Sequence, residues 1–160
     1  MTDQAAAAKV TVMFYHLTQS PPAQTLQAIL PRALAAGWRV LLRGDDMVLA
    51  DLDAKLWGGK AEEFLPHALA GGLQDNDQPI LLGNIESTGF DALALIGTTQ
   101  LDLNEAARLN RVWVLFDAGD EGQMTAARAL WKAVSSAQLH AQYWSEDSGK
   151  WAMKTAANAP

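Results

Sequence analysis

Short apolar runs alternate along this chain with longer stretches in which apolar residues recur at helical spacing. "VTVMFY" (10–15) is rich in β-branched and aromatic residues and predicts one buried strand. "SPPAQTLQAILPRALAAG" (20–37) predicts a helix, with Ser20 as its cap, Pro21 or Pro22 in its first turn and Gly37 at its end. Pro31 predicts a kink or a split in that helix. "WRVLLR" (38–43) predicts a second strand, and the stretch from 44 to 59 a helix capped by Asp45 or Asp46 and stopped at Gly58. Residues 61–78 read as irregular. "PILLG" (79–83) and "DALALIG" (91–97) predict short strands, "RVWVLF" (111–116) a buried strand, 119–137 a long helix and "LHAQYWS" (139–145) a final strand. "KWAMK" (150–154) predicts a short edge piece, and the last residues, "TAANAP", a frayed tail.

Strands alternating with amphipathic helices predict an α/β fold with a largely parallel sheet. No internal repeat or low-complexity linker interrupts the pattern, so residues 1–154 read as one domain and 155–160 as a disordered tail.

The helix wheels place two aromatic surfaces. In the helix from 45 to 57, Leu49, Leu52 and Leu56 form the inward stripe, and Trp57 lies at its edge in the last turn. Phe64 follows in a loop beside Pro66. Trp57 and Phe64 are either neighbours on one surface patch or parts of a satellite core; periodicity leaves both open. In the helix from 119 to 137, Ala127, Leu130 and Val134 face inward. Arg128, Trp131 and Lys132, at i, i+3 and i+4, share another face. An aromatic ring flanked by two cations suits a short peptide that carries both an aromatic group and a carboxylate. The same spacing also fits an Arg and a Lys snorkelling beside a half-buried Trp.

The net charge is −6 with a sequence pI near 4.9, the opposite of what a phosphate-gripping DNA binder shows. Residues 122–160 carry four basic residues (Arg128, Lys132, Lys150, Lys154) against two acidic ones (Glu146, Asp147), so an acidic ligand would favour this end of the chain. With no cysteine there is no disulfide and no thiolate metal site. "MTDQAAAAKV" has no basic, apolar leader pattern and no run is long enough to cross a bilayer, so the cytoplasm is the expected compartment.

Catalytic motifs are sparse. The exit of the first strand, "HLTQSPP", is not a glycine-rich dinucleotide loop. Around Gly59-Lys60, Ala54 and Ala61 stand where a phosphate loop needs Gly and Ser or Thr. Asp117, after "VWVLF", resembles a magnesium-holding Asp, but without a phosphate loop a helix cap beside Asp120 is the favoured reading. His16, His67 and His140 show no ligand spacing, and Asp45, Asp46, Asp51 and Asp53 scatter around a helix as solvated or capping groups. No cofactor or metal is indicated. A small α/β phosphohydrolase using Asp117 and Asp120 is the alternative to a binding protein.

"FYHL" near the start, "LDAKLWGGKAEEFLPHALAGG" in the middle and "RALWKA" late in the chain resemble the chi subunit of bacterial DNA polymerase III, in consistent order from residue 13 to about 140. The resemblance implies a single three-layer domain with a Rossmann-like sheet that binds no nucleotide. It implies a non-catalytic accessory of the clamp-loader assembly, associated with the replisome and reaching DNA only indirectly. The expected partners are the acidic, Phe-ending C-terminal tail of the single-stranded-DNA-binding protein and the psi subunit, with no membrane and no small-molecule substrate. Arg128, Trp131 and Lys132 match the helix that receives the tail. Trp57 and Phe64 match the psi-facing surface, and His67 has a structural part in the same motif. Met124 stands where the family often has Lys, and Asp117 where it often has an apolar residue, which weakens the expected pocket. Trp144, Lys150 and Trp151 are expected to reshape or supplement it.

Overall fold

The computed structural model describes residues 9–57, 66–72, 75, 78–146 and 149–159; for Trp57 it describes the backbone alone. Among the described residues eight strands and four helices follow the order β1 (Thr11–Leu17), α1 (Pro22–Ala35), β2 (Val40–Gly44), α2 (Asp46–Trp57), β3 (His67–Leu69), β4 (Ile80–Leu82), β5 (Ala92–Ile96), α3 (Leu103–Arg108), β6 (Arg111–Asp117), α4 (Glu121–Ser136), β7 (His140–Ser145) and β8 (Ala152–Ala157). The strands form one sheet in the order β3-β4-β2-β5-β6-β1-β7-β8. Every pairing is parallel except the last, where β8 returns antiparallel along β7.

Alternation along the central strands divides the core into two layers. Leu26 and Leu30 of α1, with Leu49, Leu52 and Leu56 of α2, pack against Val40, Leu42, Ala94, Trp113 and Leu115 on one face. Ala127, Leu130 and Val134 of α4, with Ala106 of α3, pack against Val12, Phe14, Leu93, Val112 and Val114 on the other. The result is the expected three-layer α/β domain. Both faces are covered, which is why these strands read as continuous apolar runs.

Five local expectations change. Pro31 neither splits nor ends α1, which runs unbroken through it. Pro31 is exposed, so the carbonyl of Gln27 that loses its partner can turn to water. The cap of α1 is Pro21, with no side-chain hydrogen bond, rather than Ser20. Its C-terminus is closed by Gly37 at φ +80°, with Gly37 N–H donating to the Leu34 carbonyl and Trp38 N–H to that of Ala33, both at 3.0 Å. The stretch expected to be irregular supplies the edge strand β3, and the residues before β6 form α3, whose single short turn and Asp102 cap left too little periodicity to read. At the C-terminus Thr155–Ala157, expected as tail, pair with Ala141–Tyr143 in the sheet.

Candidate interaction surfaces

Helix α4 begins at Asp120, whose carboxylate accepts the Gln123 N–H at 3.0 Å. From there 3.6-residue periodicity buries Ala127, Leu130 and Val134 and leaves Arg128 and Lys132 exposed one turn apart. Trp131 lies half-buried between these faces. Its ring meets Phe14 edge-on at 5.3 Å and Tyr143 at 5.9 Å. Tyr143 in turn stacks on Phe14 at 6.5 Å, and its hydroxyl lies 2.7 Å from His16 Nδ1. Trp131 is therefore held by an aromatic platform from β1 and β7, with two cations at its outer edge. Among the described residues neither Arg128 nor Lys132 forms an ion pair. The three residues singled out in this helix thus stand together. The platform beneath them was not legible beforehand, because the pairing of Phe14 with Tyr143 is a tertiary fact.

Met124 is half-buried against the same core layer, so its side chain adds apolar surface at this end of α4 where a lysine would add charge. Asp117 ends β6 and accepts the Gly119 N–H at 2.8 Å, while its own N–H donates to Gln123 Oε1. Both aspartates of the hydrolase alternative are thereby engaged in shaping the turn into α4.

Trp144 and Trp151 do not supplement this surface. Strand alternation turns Trp144 to the opposite side of the sheet from Tyr143, and Trp151 packs edge-on to Tyr15 at 5.1 Å, on the α1 side. Trp57 closes α2, as expected; its side chain, and Phe64 altogether, lie outside the described residues. His67 is buried at the start of β3, with Nε2 3.1 Å from the Asp53 carbonyl and 3.4 Å from Asp53 Oδ1. It ties the edge strand to α2, a structural role. Asp53 is therefore partly buried, unlike its exposed neighbours Asp46 and Asp51.

The exit of β1 is where a nucleotide-binding α/β fold presents backbone N–H groups to phosphate. Here those donors are already taken. Glu146, just past β7, accepts the N–H groups of Thr18, Gln19 and Ser20 at 3.1, 2.8 and 2.6 Å on one oxygen and the Ser20 hydroxyl at 2.7 Å on the other. Burial alone would raise its pKa, but these bonds outweigh it and the net shift is downward. Pro21 and Pro22 add no donor of their own. A built-in carboxylate fills the anion site, a physical reason for the missing nucleotide loop. Nothing local could reveal it, since Glu146 lies 126 residues from Ser20.

A second, partly buried carboxylate links α3 to β2. Arg43 forms a two-pronged pair with Glu105, Nη1 to Oε1 at 3.0 Å and Nη2 to Oε2 at 2.8 Å. Arg43 also reaches the carbonyls of Ile85 and Gln100, and the Ser87 hydroxyl donates to Glu105. The Arg43 hydrogen bonds, opposed by burial and aided by Ser87, lower the Glu105 pKa from 4.5 to about 2. Among the described residues no cluster of three or more His, Cys, Asp or Glu is placed to hold a metal, and no helix is long and apolar enough to cross a membrane.

Residues 10–142 match the family model described as DNA polymerase III chi subunit, HolC. A curated relative, the DNA polymerase III subunit chi of Pseudomonas aeruginosa PAO1, is 33% identical over 92 residues, which cover 55% of this chain and 63% of the relative. The match thus spans under two thirds of that relative's length.

Proposed function

Because the chain belongs to the family of DNA polymerase III chi subunits, we propose that it acts as a non-catalytic adaptor joining the replicative polymerase to the single-stranded-DNA-binding protein. It does so by capturing that protein's acidic, Phe-ending C-terminal tail on α4. The observation that carries this reading is the exposed pair Arg128 and Lys132, unpaired among the described residues, at the outer edge of the half-buried Trp131. The tail's aromatic end packs on Trp131, whose orientation Phe14 and Tyr143 have already set, so little side-chain entropy is lost on binding. Its carboxylates meet the two cations, whose reach is electrostatic and salt-sensitive. Met124 adds apolar contact where a further cation would add charge, and Asp117 repels an acidic ligand, so affinity rests mainly on Arg128 and Lys132.

A second partner, the psi subunit or a protein in its place, docks at Trp57 and Phe64, which the resemblance places on one surface. Contact with DNA is indirect, consistent with the net charge of −6. The phosphohydrolase alternative has less support: the carboxylates of Asp117 and Asp120 are occupied by local N–H groups, and Glu146 fills the anion site at the exit of β1.

The test is anisotropy titration of a fluorescent peptide ending in Asp-Phe-Pro-Phe, against wild type and Arg128→Ala at two salt concentrations. Saturable binding of about micromolar affinity is expected, roughly −8 kcal/mol. It should weaken with salt, and Arg128→Ala should cost about 1.5–3 kcal/mol, the worth of one charge-assisted bond. Equal binding by wild type and Arg128→Ala would overturn the assignment of this site.

A further inference from the structure

On the face of the sheet opposite Trp131, bounded along one wall by α1, lies a pocket of about 490 Å³. Its walls are aromatic: Trp38 and Trp113 on one side and Trp144 and Trp151 on the other. Trp38 and Trp113 have ring centroids 6.5 Å apart, and Trp151 stands perpendicular to Tyr15. Two arginines line the same pocket, Arg32 from α1 and Arg111 from the start of β6, and among the described residues no acidic one does.

Arg111 is short of partners. Its Nε is buried with no hydrogen-bond acceptor among the described residues. The one acceptor Nη1 finds is the Met13 sulfur at 3.3 Å, a weak one, and the guanidinium lies 5.5 Å over the Trp38 ring. Neither Arg111 nor Arg32 forms an ion pair among the described residues. Both cations act on the Tyr15 hydroxyl, whose pKa is raised by burial and partly restored by Arg111 and then Arg32. Arg111, half-buried beside the tryptophans, and the exposed Arg32 at the pocket's rim are thus two cations with no anion among the described residues, and a carboxylate in the pocket would give both a charge-assisted partner.

We propose that this pocket is a second binding site, distinct from the α4 surface, for an apolar carboxylate. The hydrocarbon part packs between the tryptophans while the carboxylate accepts from Arg111 and faces Arg32. The volume falls in the small-ligand range of about 300–1,000 Å³ and admits a group of one or two amino-acid residues in size. The ligand chemistry is shared by two sources, the C-terminal residue of a peptide and a free arylalkanoic acid. The site does not depend on capture of a tail by α4, and it uses the β7–β8 hairpin, where Trp144 and Trp151 reside.

The full-length protein, labelled with 15N, is titrated with N-acetyl-L-phenylalanine, with its uncharged amide, and with Gly-Gly-Gly-Phe bearing a free carboxyl end, while indole and arginine Nε–H resonances are followed. The free acid should shift the Trp144 and Trp151 indoles and the Arg111 Nε–H saturably at about millimolar concentrations, as a ligand with so few atoms allows. The amide should bind about tenfold more weakly, having lost the charge-assisted bonds. Arg111→Gln and the exposed Arg32→Gln should each narrow that difference, and Arg128→Ala should leave it unchanged. Arg32→Gln touches no buried group, so it tests charge even if Arg111→Gln folds poorly. Binding of both the peptide and the free acid points to a peptide end, and binding of the free acid alone to a small molecule; either supports the site. No saturable shift with any probe, equal affinity for acid and amide, or loss of the response in Arg128→Ala with retention in both pocket variants would overturn it.

Discussion

Replacing Glu105 by Gln keeps the shape of the side chain and removes its charge, leaving Arg43 buried without its counter-ion. Both side chains are nearly enclosed, at 8% and 12% exposure, so water and salt screen the pair little. Two independent routes give the size of the effect. The fall in the Glu105 pKa from 4.5 to about 2 makes the carboxylate worth about 3 kcal/mol to the folded state at neutral pH. Breaking one side of a buried ion pair costs about 3–5 kcal/mol in general, because the remaining charge is stranded. Arg43 would still donate to the Ile85 and Gln100 carbonyls, which keeps the loss towards the lower figure. Urea unfolding followed by circular dichroism should therefore show a loss of about 3 kcal/mol at pH 7 with an unchanged m-value. At a few degrees per kcal/mol, the Tm should fall by roughly 10 °C. The sign with pH follows from the direction of the shift. The folded pKa is depressed, so the contribution is complete above the unfolded value of 4.5 and is lost as the pH falls towards 2. Wild type should lose its advantage over Glu105→Gln across that window, and the two stability curves should converge. Joint replacement by Met at 43 and Leu at 105 should recover much of the loss, since an apolar pair strands no charge. A cost below about 1 kcal/mol, or parallel pH curves for the two proteins, would refute the reasoning.

Glu146→Ala should cost about 2 kcal/mol by urea unfolding, since a charged acceptor is withdrawn from donors that are partly reached by water. The vacated N–H groups should then bind inorganic phosphate, raising the Tm of the variant and not that of wild type. Stability contributed by Glu146 should likewise be present above the usual carboxylate range and fade as the pH falls, because its folded pKa is lowered; Glu146→Gln should abolish that component of the pH profile. Asp120→Ala removes the cap of α4 and should cost about 1 kcal/mol, read by thermal melting, with peptide affinity at Arg128 nearly unchanged. Trp131→Ala should lower stability by about 2 kcal/mol, less than a fully buried Trp, and should abolish peptide capture, whereas Trp131→Tyr should retain most of both.

Local patterning was enough for the elements that bury a whole face. The runs at 10–15, 38–43, 79–83, 91–97 and 111–116 became strands, and the stripes Leu49-Leu52-Leu56 and Ala127-Leu130-Val134 became buried helix faces. Period and apolar content determine these irrespective of what they pack against. The grouping of Arg128, Trp131 and Lys132 on one face of α4 follows from helical geometry in the same way. What only the tertiary structure decided involves residues far apart in the chain. The Glu146 carboxylate, from the end of β7, fills the turn after β1, Glu105 pairs with Arg43, and Phe14 and Tyr143 support Trp131. Within the β7–β8 hairpin Trp144 and Trp151 turn to the face of the sheet away from α4, so they complete a different pocket from the one their sequence neighbourhood suggested. A side chain's class and its place in the period are local properties. Which charge meets which, and which face of a sheet an added strand covers, depend on strand order and register, and these are set by the packing of the whole core.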